Sequence, residues 1–91
     1  MTKAAKKTAR KAKPKTIRQT LTKDIDGRFG RRIYDLRRAR HLTQTAMAEQ
    51  FGIDRGFLGE IEKGLKSPTL GFIEVLAVGL QVTLSELFTR L

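Results

Sequence analysis

The stretch "DRGFLGEIEK", residues 54–63, sets a guanidinium at Arg55 and a carboxylate at Glu60 around two bare positions, Gly56 and Gly59. Asp54 is suited to cap a helix, and the apolar spacing that follows predicts a short helix over 55–63 with Arg55 in its first turn. A cation there is opposed by the helix dipole, by roughly 0.3 to 1 kcal/mol at an exposed site. Such a placement suggests an anionic partner, or an acceptor edge that the guanidinium fork can meet with two hydrogen bonds. Each internal glycine costs a helix up to ~1 kcal/mol relative to alanine, less in the first turn, and leaves room for close approach by the backbone. Charge and hydrogen bonding are therefore the chemistry on offer.

Residues for covalent or metal chemistry are missing by comparison. The chain of 91 residues has no cysteine and a single histidine, His41, placed just beyond a helix end where it reads as a capping or solvent residue. Ser67 and Ser85 read as cap and capping-box residues, and neither a glycine-rich phosphate loop nor a cluster of metal ligands is present. The expectation is a protein that is not an enzyme and needs no cofactor or metal. No apolar run reaches the length of a membrane span or a signal-peptide core, so no membrane partner is expected and a cytoplasmic location is the simplest reading.

The elements that position Arg55 follow from helical periodicity and caps. Phe29, Ile33 and Leu36 recur at spacings of four and three, predicting a helix over 27–40 with Asp26 as N-cap and Arg28, Arg31, Arg32 and Arg38 on its other face. Three later starts share one pattern, an apolar residue before the cap and another four beyond the cap: Leu42 with Met47 around Thr43, Ile53 with Leu58 around Asp54, and Val82 with Leu87 around Thr83. Thr83 with Glu86 is also a capping box, and Ser67 with Pro68 predicts a cap and first turn for another helix. The remaining helices are thus predicted over 44–51, 55–63, 68–80 and 84–90, with Gly52 and Gly64 closing two of them in the left-handed region. Only Gly52, Ile53 and Asp54 separate helices 44–51 and 55–63, and small Ala48 permits their close crossing, with Met47, Phe51, Ile53, Leu58 and Ile61 as shared core.

Charge divides the chain at residue 23. Residues 1–23 hold nine basic side chains, among them Lys6, Lys7, Arg10, Lys11, Lys13, Lys15 and Arg18, and no acid, whereas 24–91 hold ten basic and nine acidic. With almost no apolar groups to bury, 1–23 is expected to be a disordered basic arm, and 24–91 a single folded domain. Two readings of the arm stand: a solvated tail, or a segment that lies along a nucleic-acid backbone or in a minor groove and releases counterions. A transit peptide or a membrane-surface helix would need an apolar face that this segment lacks.

The features "LTQ" at 42–44, Met47 with Ala48, "FGI" at 51–53, "IEKG" at 61–64, "SPTL" at 67–70 and "LSEL" at 84–87 resemble the Cro/C1-type, or xenobiotic-response-element-like, helix-turn-helix family. The resemblance covers residues 35–88. It implies an all-α, five-helix, lambda-repressor-like domain, with helix 55–63 in the DNA major groove and a homodimer on a near-palindromic site. It also places Arg55, Gly56, Gly59 and Glu60 toward the bases, Thr43, Gln44, Lys63 and Lys66 at the phosphate backbone, and Arg37 with Glu62 in an interhelical ion pair. On that surface Arg55 matches guanine O6 and N7, and Glu60 either accepts from cytosine N4 or stands as a solvated acid. With so few direct readers, sequence preference is expected to lean on Arg55, on DNA shape and on the arm.

Helix 68–80 raises a second surface. Leu70, Ile73, Leu76, Ala77 and Leu80 fit an inward stripe, leaving Phe72, Val75 and Val78, with Phe88 beyond, as an apolar patch for a second copy or for a protein such as a toxin. The leading expectation is a sequence-specific DNA-binding transcriptional regulator, a repressor, associated with the nucleoid when bound. The alternative is an antitoxin or protein-binding adaptor that uses the same domain mainly for a partner.

Overall fold

A computed structural model describes residues 14–21 and 24–91. Among these residues all regular structure is helical: α1 (Ile17–Thr20), α2 (Asp24–Ala39), α3 (Gln44–Phe51), α4 (Arg55–Glu62), α5 (Leu70–Leu80) and α6 (Leu84–Leu87). The three apolar pairs that bracket the caps close as expected. Thr43, Asp54 and Thr83 each accept an N–H three residues on, and Met47, Leu58 and Leu87 are fully buried beside their partners Leu42, Ile53 and Val82. Gly52 (φ 70°) ends α3 in the left-handed region, which turns the chain into α4 within two further residues.

Several boundaries differ from the sequence expectation. α2 begins at Asp24, so Asp26 lies within its first turn, and its carboxylate accepts the Ser67 hydroxyl at 2.7 Å instead of capping the helix. α5 is capped by Thr69, whose Oγ1 accepts the Phe72 N–H at 3.2 Å; Ser67 and Pro68 remain in the preceding loop. The last helix ends at Leu87 and not at residue 90, followed by a turn in which Arg90 has φ 62°. In the arm, Thr16 and Gln19 form a capping box that holds the single turn α1, all of whose residues are exposed. Lys15 and Arg18 flank or belong to that turn, while Lys6, Lys7, Arg10, Lys11 and Lys13 lie outside the described residues.

The core joins Phe29 and Ile33 of α2, Met47 of α3, Leu58 and Ile61 of α4, Leu76, Ala77 and Leu80 of α5, and Leu87 of α6. The outward and inward residues of α5 are not those expected. Leu70 is 83% exposed, whereas Phe72 turns in and meets the Phe57 ring edge-on at 5.0 Å between centroids. Val75 and Val78 do face solvent, and so does Phe88, one side of whose ring rests on Phe29 with 5.6 Å between centroids.

α4 crosses α2 so closely that a side chain at Gly30 has no space. A Cβ there would lie 2.8 Å from the Glu62 carbonyl oxygen and closer still to that of Ile61. The obstacle is backbone, which cannot swing aside as a side chain can. Gly30→Ala is expected to lower unfolding stability by about 1 to 3 kcal/mol, the usual range for overpacking. Urea titration checks this, and a midpoint equal to wild type would show that the two helices can part without loss.

Candidate nucleic-acid interface

Arg55 occupies the first position of α4, because Asp54 is held in the cap by the Phe57 N–H, 2.7 Å from its carboxylate. The side chain is exposed, and its Nε donates to the Thr45 hydroxyl at 3.1 Å. Among the described residues it is thus a neutral oxygen that orients the guanidinium, without neutralising it, and the terminal nitrogens are left to form a bidentate pair. Gly56 and Glu60 are exposed beside it. Gly59 is half-buried, with the Gln44 amide 3.5 Å from where its Cβ would stand, so the bare position at 59 faces α3 instead of open space.

The start of α3 forms the adjoining wall. Thr43 caps it by accepting the Ala46 N–H at 3.0 Å, and Gln44 follows at the first helical position. These residues line an open groove of about 760 Å³ with Arg38, His41, Thr45 and Arg55. Unpaired N–H groups at a helix start attract anions, and the flanking guanidiniums add to that field. Lys63 and Lys66 are exposed where the chain leaves α4, on the loop to α5.

Beneath this surface lies the ion pair that fixes it. Arg37 donates from Nε to Glu62 Oε2 at 2.7 Å and from Nη2 to Oε1 at 2.8 Å, and its Nη1 reaches the Leu42 carbonyl at 2.7 Å. Gln44 Nε2 donates to the same Oε1 at 3.0 Å. The side chains of Arg37 and Glu62 are only 7% and 4% exposed. Hydrogen bonding to Glu62 raises the Arg37 pKa above its ordinary value, against the opposing effect of burial. A raised basic group stabilises the fold fully below its unfolded-state pKa and loses that contribution only as pH climbs through the higher folded value. Arg37 is therefore charged throughout the range in which a protein of this kind works.

Sequence reading did not find Thr45, which aims Arg55, nor the use made of other arginines of α2 and of Arg40 just beyond it. Arg32 donates to the Glu86 and Leu87 carbonyls at 2.6 and 3.3 Å, Arg40 to that of Leu80 at 2.9 Å, and Arg28 to that of Leu91. Each satisfies the C-terminal end of a helix or the chain beyond it. Basic residues facing helix ends are a recognisable signal, but only once the tertiary neighbours are known. Among the described residues no group of three or more His, Asp or Glu side chains can hold a metal ion, and no helix is long and apolar enough to cross a membrane.

Two short helices in tight succession, the second presenting an oriented but unneutralised arginine beside the positive end of the first, define a helix-turn-helix protein. Residues 33–87 match the helix-turn-helix family HTH_3. Control protein C.MunI from a Mycoplasma species is 39% identical over 67 residues, spanning 72% of this chain and 90% of that relative. The immunity repressor protein of Bacillus phage phi105 is 38% identical over 56 residues, 59% of this chain and 39% of the repressor. The restriction-modification controller protein C.AhdI from Aeromonas hydrophila superposes with a TM-score of 0.69 at 35% identity, covering 72% of this chain and 96% of that one. The chain belongs to the HTH_3, or Cro/C1-type, helix-turn-helix family and is a DNA-binding transcription regulator.

Breaking the buried pair from one side leaves an uncompensated charge. Glu62→Ala is expected to destabilise the domain by about 3 to 5 kcal/mol. Chemical denaturation gives the value directly, and a loss below about 1 kcal/mol, typical of exposed pairs, would show that Arg37 finds another anchor.

Proposed function

We propose that the protein represses transcription by occupying a specific duplex operator, with α4 in the major groove and the start of α3 against a phosphate. The observation that carries this is Arg55: exposed, aimed by Thr45 and unneutralised in the first turn of α4. Its fork suits guanine, and Glu60 supplies an acceptor five residues on. Thr43, Gln44, Lys63 and Lys66 provide backbone contacts, and the basic arm adds sequence-independent attraction along the groove. No chemical step is assigned, and the reading places the protein in the cytoplasm, at the nucleoid when bound. Control and immunity-repressor relatives favour this reading over an antitoxin or adaptor.

We also propose that it binds as a homodimer through the outer side of α5 and α6. Leu70, Val75, Val78, Leu84 and Phe88 are exposed there, with Glu74 among them. This shifts the patch away from Phe72, whose contact with Phe57 removes it from the surface. A two-fold dimer matches a palindromic operator, each half-site meeting one α4.

Selection of bound duplexes from a random pool tests the central claim. A palindromic winner bound about 10³-fold or more tightly than a scrambled duplex is expected. An unenriched pool, with binding that vanishes as salt rises, would overturn it. On the winner, Arg55→Ala is expected to cost about 1 to 3 kcal/mol with little change on scrambled DNA. Deleting residues 1–23 should weaken both and flatten the salt dependence. Val78→Glu should shift sedimentation toward the monomer; an unchanged dimer would place the interface elsewhere.

A further inference from the structure

The face of α2 nearest the start of α3 carries an arrangement that neither fold stability nor the α4 surface explains. Three guanidiniums surround the Tyr34 ring, with the central carbons of Arg31, Arg37 and Arg38 at 5.4, 5.3 and 5.4 Å from its centroid. Arg37 is matched by Glu62, and Arg31 pairs with Asp35 at 3.1 Å. Arg38 has no carboxylate partner among the described residues; its Nη1 donates instead to the Tyr34 hydroxyl at 2.7 Å. The ring face attracts each guanidinium, and with Arg31 and Arg37 already matched the charge of Arg38 is the one left for an anion from outside to meet.

The hydrogen-bond inventory says what that anion must look like. The Tyr34 oxygen accepts from Arg38, so its own hydrogen is free to donate, and exposed Arg38 has further N–H groups besides the one it gives to Tyr34. Tyr34 lines an open groove of about 310 Å³ with Arg31, Gln44 and Lys63. Arg38 lines the neighbouring groove with Gln44 and Arg55, so Gln44 belongs to both. Glu62 also borders the Tyr34 groove, but its two oxygens are taken up by Arg37 and Gln44.

We infer that Tyr34 and Arg38, with Lys63 across the groove, grip a backbone phosphate of the bound duplex and carry the DNA interface from α3 onto α2. The inference rests on the operator-binding reading above. A phosphodiester fits because one anionic oxygen can accept the phenol O–H and an arginine N–H together, and because the grip continues the run from Arg55 through Gln44. The contact is blind to sequence: it positions the protein and does not choose the site.

The test uses the full chain and the duplex obtained by selection, with thermal unfolding as a check that each variant is folded. Tyr34→Phe keeps the ring among its three cations and removes only the hydroxyl. It is expected to weaken binding about tenfold, on the selected and the scrambled duplex alike. Arg38→Gln should do the same and lower the salt slope by about one. Replacing phosphates one at a time by neutral methylphosphonates should reveal one position per half-site that matters to wild type and no longer matters to Tyr34→Phe. Wild-type affinity in Tyr34→Phe, with an unchanged methylphosphonate profile, overturns the grip while leaving operator binding intact. Failure of wild type to bind any duplex overturns the operator reading and the grip together.

Discussion

The architecture turns on the fork of Arg37. One guanidinium, rising from α2, holds both oxygens of Glu62 on α4 and the carbonyl of Leu42 just before α3, while Gln44 at the start of α3 shares the same carboxylate. Three helices, α2, α3 and α4, and the chain leading into α3 are thereby gathered around a single planar group. A buried ion pair of this kind adds little net stability over a well-packed apolar substitute. Its contribution here is geometric: five fixed donors admit one orientation of α3 against α4, and a lysine ammonium would not impose it.

That demand explains how charge is distributed over the domain. Arg28, Arg32 and, just past α2, Arg40 donate to carbonyls at the ends of other helices or in the chain beyond them, so much of the positive charge along this stretch serves the fold. The same helix places Arg31 and Arg38 beside Tyr34. Counting basic residues would have treated all of them alike. What separates them is whether the guanidinium meets a backbone carbonyl inside the molecule or an aromatic ring at its surface.

Much of the fold was legible in the sequence because caps and staples are local. Thr43, Asp54 and Thr83 announce their helices through residues within four positions, and no distant contact overrides them. Asp26 and Ser67 were misread for the opposite reason. Each is a plausible cap taken alone, yet they are 41 residues apart and satisfy one another. Leu70 and Phe72 lie at the two margins of the buried stripe of α5, where periodicity does not rank them; the edge of the Phe57 ring decides which one turns inward. At the site, Arg55 was visible from its conflict with the helix dipole. Thr45, ten residues earlier, becomes its partner only after the turn at Gly52 brings α3 and α4 together.

The glycines of this domain are under unequal restraint. Gly30 is held by the backbone of α4, but at position 59 a methyl group would meet only the flexible end of Gln44 at an ordinary 3.5 Å, and at 56 its nearest neighbour is the Asp54 carboxylate at 3.2 Å. Alanine or a longer side chain at 59 would also raise helix propensity. A side chain at 59 would nevertheless be aimed at α3, and one at 56 would press on the oxygen that caps α4. Descendants of this chain could therefore acquire new operators most cheaply by single substitutions at the exposed positions 55 and 60, which leave the scaffold intact. A duplicated copy could part from its parent in the genes it controls before the two differ anywhere in their cores.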